Sequence, residues 1–115
     1  MSPKRNPLKL NKLQLKTLTL LQALAELPAH ASPGETPGTT RVGNLPAAHG
    51  NHFHLGDYVV AGSDATGLSN AGAWKALARK GLATNLQFPY ALDLTEAARA
   101  YDTGLADAIL HRADH

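Results

Sequence analysis

Leucines recur at helical spacing along the first quarter of the chain. Leu13, Leu20, Leu21, Leu24 and Leu27 form one stripe, and Lys12, Lys16, Gln22 and Glu26 fall on the watered side. The pattern predicts a helix over residues 11–27. Its start is locally specified. Asn11 can cap, Gln14 sits at the third helical position, and Leu10 with Leu15 fit a hydrophobic staple. Pro28 ends it.

Beyond Pro28 the helical period lapses. Residues 28–51 are rich in Pro, Gly, Ala and Thr, with turn signals at Pro33-Gly34 and Pro37-Gly38. That length reads as a long loop, mobile or functional, containing a short strand within residues 39–45. Residues 52–61 carry the aromatic and β-branched content of a strand, expected to pair with residues 39–45. Gly56 marks a bulge or bend in it. Residues 62–67 form a turn-rich connection with room for one helical turn.

The second half of the chain has clearer punctuation. Ser69 or Asn70 caps a helix over residues 69–80, with Ala73, Trp74 and Leu77 inward and Gly81 as the left-handed stop. Residues 82–86 and 90–94 alternate as two strands around Gln87-Phe88-Pro89, and Asp93 reads as a solvent-facing strand residue. Thr95 caps the last helix, with Glu96 well placed at its N-terminal dipole. Ala98, Tyr101, Leu105, Ala108 and Ile109 share one side of that helix, which Gly104 weakens by about 1 kcal/mol relative to Ala. The expected class is α+β, with about three helices and a small antiparallel sheet.

The helix order and two short motifs carry a resemblance. Residues 11–27 and 67–101 resemble a reduced winged helix of the multiple-antibiotic-resistance-regulator type, through the leucine-rich first helix, Ala78-Arg-Lys-Gly-Leu-Ala83 and Leu94-Thr-Glu-Ala-Ala98. The likeness implies a winged-helix-like domain over residues 11–115 and a small DNA-binding or regulatory protein. The helix at 69–80 would then be the recognition helix. Gly72, Lys75, Ala76 and Arg79 fall opposite Trp74 and Leu77, and Lys75 and Arg79 are four apart, within reach of phosphate or a guanine edge. Lys80 extends the cationic set, and Asn70 either touches a base or caps. The wing, residues 85–89, has no Lys or Arg, and loop and strand replace the helix that usually precedes the recognition helix. The segments at 51–57 and 64–70 also resemble those of small bacterial proteins, a likeness that brings no activity with it.

Composition narrows this picture in three ways. A chain of 115 residues is one domain, able to hide roughly two-thirds of its unfolded surface. There is no cysteine, which excludes disulfides, thiolate zinc sites and thiol catalysis, and makes the cytoplasm the default address. No apolar run reaches the length of a membrane span. Charge is segregated as well. Lys4, Arg5, Lys9, Lys12 and Lys16 all precede the first acid, Glu26, so residues 1–10 read as a flexible basic arm able to meet phosphate or another anionic surface.

One cluster stands apart from the fold argument. His49, His52 and His54 lie within six residues, and on a strand His52 and His54 share a face. Three imidazoles, with Asp57 as an oxygen donor, suit a divalent transition metal such as zinc, nickel or iron. A metal-binding or metal-sensing protein is therefore one alternative. A non-enzymatic homodimerisation module, built on the first or last helix, is another. No general base or substrate-binding signature accompanies the histidines, so no catalytic residue is assigned.

Overall fold

The computed structural model describes residues 6–48 and 50–112. It is a mixed α+β fold, with four short to medium helices and two small antiparallel sheets among the described residues. Helix α1 (Lys12–Ala25) starts as its sequence dictates: Asn11 Oδ1 accepts from the Gln14 amide at 2.8 Å, and Gln14 Oε1 accepts from the Asn11 amide at 2.9 Å. This reciprocal pair satisfies two amides that the first turn would otherwise leave without partners.

Helix α1 is the centre of the molecule rather than one of its faces. Leu18, Leu20, Leu21 and Leu24 are completely buried, and so are Thr17 and Thr19 beside them. The two threonine hydroxyls donate to carbonyls one turn back, those of Leu13 and Leu15, which makes their burial tolerable. These four leucines therefore belong to the core of the chain.

Residues 28–51 are more structured than a long loop. They hold a hairpin of β1 (Ala31–Pro33) and β2 (Thr40–Val42), and β2 continues the main sheet by pairing with β6 (Ala91–Leu94). With β5 (Ala83–Gln87) the sheet order is β1-β2-β6-β5. Residues 52–61 do not pair with residues 39–45. They fold on themselves as β3 (His52–Leu55) and β4 (Tyr58–Ala61), around the two-residue turn Gly56-Asp57. Gly56 has φ +60, a left-handed conformation that glycine adopts without strain. The short β7 (His111–Arg112) adds to β4, so the second sheet runs β3-β4-β7.

Two 3-10 turns, Gly62–Asp64 and Thr66–Ser69, lead from β4 to α2 (Ala71–Arg79). Gly67 lets the second turn press against α1, since a Cβ there would lie 1.6 Å from Thr17 Oγ1. Asp64 fixes the first turn through an ion pair with Lys16 at 2.7 Å. Leu68, Trp74, Leu77, Leu82, Leu92 and Leu94 then close the core over α1, together with Leu55 and Val60 from the second sheet.

The last helix departs from expectation. Instead of one run through Ile109, α3 (Glu96–Ala100) stops after five residues and α4 (Ala106–Ile109) follows a break. The cause is Gln22, expected to face water. Its amide donates to the carbonyls of Ala98 and Tyr101 at 2.8 and 2.7 Å, terminating α3 from the side. Thr103 turns inward to share a 2.6 Å hydrogen bond with Thr19, and Gly104 takes φ +72. Tyr101 packs at the edge of the core and fastens residues 6–10, donating to Asn6 and accepting from the Leu8 amide. The arm is thus docked over its described part, with Leu10 buried. Among the described residues no helix is long and apolar enough to cross a membrane.

Candidate nucleic-acid interface

Helix α2 is short but rigidly placed. Asn70 caps its start, its side-chain oxygen accepting from the Ala73 amide at 3.0 Å. The Asn70 side-chain oxygen is therefore committed to the cap. At the other end Leu82 N donates to Leu77 O and Gly81 N to Ala78 O, each at 3.0 Å, with Gly81 at φ +79. This paired closure is the glycine stop expected from the sequence. Thr95 locks the stop to the sheet by donating from Oγ1 to Gly81 O at 2.9 Å.

Trp74 and Leu77 are fully buried. Gly72, Lys75, Arg79 and Lys80 are exposed. Ala76 belongs with the first group, not the second. It is 4 % exposed, because the inward arc of α2 is wide enough to meet both α1 and β5. The outer face is thus a cationic edge with a glycine at one end.

The hairpin β5–β6 stands next to that edge. Its tip turns at Gln87-Phe88-Pro89-Tyr90 with a cis Phe88–Pro89 bond, and the Tyr90 amide donates to Gln87 O at 2.7 Å. Phe88 reaches back to meet Trp74 edge-on, ring centroids 4.9 Å apart. Helix and hairpin tip are therefore one packed unit. Tyr90 projects outward, 75 % exposed. Residues 65–92, which span the second 3-10 turn, α2 and the hairpin, hold Lys75, Arg79 and Lys80 and no acid at all. That acid-free run is legible in the sequence and sharpens the local charge beyond the chain's modest net value.

The hairpin is held in place by a residue that sequence reasoning put in water. Asp93 is completely buried on the side of β6 away from Leu92 and Leu94, because the β1–β2 turn folds over it. Arg41 Nε donates to Oδ1 at 2.9 Å, the Glu35 amide donates to Oδ2 at 2.9 Å, and the Asn85 amide reaches Oδ2 at 3.4 Å. Asn85 sits at φ +50 where β5 and β6 slip register, so the irregular residue of the hairpin is tied to Asp93. Burial pushes the Asp93 carboxyl up. The hydrogen bonds from Arg41, Glu35 and Asn85, with the charge of Arg41, outweigh it and hold the group below the ordinary carboxylate range. One carboxylate thus joins four pieces of chain.

The histidines lie elsewhere. His52 and His54 project from β3 on the side away from the core, their Nε2 atoms 3.2 Å apart. His49 lies outside the described residues. Asp57 does not join the pair as an oxygen donor. It occupies the β3–β4 turn and faces Arg112 at 3.9 Å. Among the described residues, no group of three or more His, Asp or Glu is arranged to hold a metal.

Comparison with protein families, with curated proteins and with solved structures returns no match for this chain.

Proposed function

We propose that this chain is a small winged-helix protein that binds duplex DNA, with α2 entering the major groove and the β5–β6 hairpin acting as the wing. The observation that carries the reading is the exposed cationic edge of α2, formed by Lys75, Arg79 and Lys80 and flanked by a hairpin in an acid-free stretch. The strand order β2-β6-β5 supports it, because α2 leads directly into β5 and the returning β6 lies between β5 and the earlier strand β2. The second 3-10 turn packs between α1 and α2, and the two turns take the place of the helix that usually precedes a recognition helix. Lys75 and Arg79 sit one helical turn apart, so both face the same groove edge. With no cation on its tip, the wing contributes position and the Tyr90 ring rather than charge. A regulatory role follows if binding is sequence-selective.

The test is a titration of mixed-sequence duplex at several salt concentrations, in the presence of a chelator. Three phosphate contacts give a log–log salt slope of about −2.7. The Lys75→Ala/Arg79→Ala double variant should flatten that slope to about −0.9 while remaining folded. Unchanged affinity and slope in the double variant would remove the interface from α2. No salt-dependent binding by the parent chain would remove the function.

A further inference from the structure

We infer that His52 and His54 form a two-imidazole clamp for one divalent late-transition-metal ion on the outer face of the β3–β4–β7 sheet. The inference is independent of DNA binding and uses none of the residues of α2.

The placement begins with the strand. His52 and His54 are two apart on β3 and share a face, while Leu55 and Val60 anchor the opposite face in the core with no exposure. Their cross-strand neighbours on β4 are Ala61 and Val59, neither of which competes for a cation. The backbone carrying both rings is thus fixed by its ladder before any metal arrives, and little ordering remains to be done on binding.

The rings themselves have the right relation. The two Nε2 atoms are 3.2 Å apart, the centroids 4.8 Å, and the planes 80° from parallel. Two nitrogens at roughly 2.0–2.1 Å from a tetrahedral zinc are separated by about 3.3 Å. The observed spacing therefore matches two ligands of one ion. In the metal-free chain the same spacing is bridged by a single N–H···N hydrogen bond. Metal entry takes both Nε2 lone pairs, and the displaced ring proton relocates to Nδ1 through solvent, so the imidazoles stay neutral. Water fills the remaining coordination positions. Imidazole-only ligation favours copper(II), nickel(II) and zinc over magnesium or calcium.

The experiment uses the full chain made without a histidine tag. Copper(II) and zinc are titrated separately by calorimetry at pH 7.5, and copper(II) coordination is read by electron paramagnetic resonance. The expected result is a strongest site of one ion per chain, with hyperfine structure from at least two imidazole nitrogens. His52→Ala and His54→Ala should each weaken it by about 10- to 100-fold, at least the loss seen when outer ligand-supporting groups are removed. His30→Ala and His111→Ala should change it less than twofold. Retention of the strongest site in a folded His52→Ala/His54→Ala chain would overturn the inference. So would a parent spectrum with fewer than two imidazole nitrogens, a readout that depends on no variant.

Discussion

In the four-stranded sheet the side chain that β6 turns away from the core is Asp93, and it is buried. In the three-stranded sheet the side chains that β3 turns away from the core are His52 and His54, and His54 is exposed. Both strands show the same alternation of apolar and polar positions. The difference lies in what the rest of the chain lays over them. The β1–β2 turn covers β6 and supplies an amide and a guanidinium for the carboxylate. Over β3 the two imidazoles meet each other. Alternation therefore says which side a residue takes, and long-range contacts decide whether that side is wet.

The contrast breaks hardest at Trp74, which joins α2 to the β5–β6 hairpin through Phe88. Trp74→Ala should cost about 3–5 kcal/mol in denaturant unfolding, because a fully buried ring is lost and its cavity is lined from two elements. A loss below about 1 kcal/mol would mean that helix and hairpin are not one packed unit. Next comes Gly67→Ala, expected to cost about 2–3 kcal/mol through the clash with Thr17. Adding Thr17→Ala should restore part of that loss, and a purely additive cycle would place the strain elsewhere.

Asp93→Asn sharpens the contrast through pH. The folded carboxyl titrates below its unfolded value, so its contribution is fully present above the ordinary carboxylate pKa of about 4 and fades as pH falls through the folded value. The variant should be about 1.5 kcal/mol less stable at pH 7, with the gap narrowing below about pH 4. A gap that is constant from pH 7 to pH 3 would mean that the charged form of Asp93 is not what the site favours. The smallest effect belongs to the other sheet. His54→Ala without metal should change stability by no more than about 0.5 kcal/mol, as for most exposed positions.

Local grammar was readable wherever one residue decides the outcome. The Asn11–Gln14 capping box, the Asn70 and Thr95 caps, the Gly81 stop and the β5–β6 pairing all follow from residues adjacent in sequence. What escaped needed partners far along the chain. Gln22 breaks the last helix from 76 residues away, and Glu35 and Arg41 reach Asp93 from 58 and 52 residues away. The β3–β4 hairpin is a different kind of miss. Gly56-Asp57 between two strand-forming runs is a short-range turn signal, and it favours a hairpin within 52–61 over a single strand. Of the candidate site, the cationic edge was legible because helical spacing separates Lys75 and Arg79 from Trp74 and Leu77. The support beneath the β5–β6 hairpin was not, since it depends on Asp93.

The knot of hydrogen bonds among Asn6, Leu8 and Tyr101 has a mechanical consequence. Asn6 also binds the backbone of Leu10 at both its amide and its carbonyl, so this one side chain clamps the run leading into α1. Tension applied ahead of Asn6 is carried sideways into the segment after α3, and the Asn11 cap sits behind that clamp. A bulky fusion joined upstream of Asn6 would therefore pull on Tyr101 before it reached the Asn11 cap.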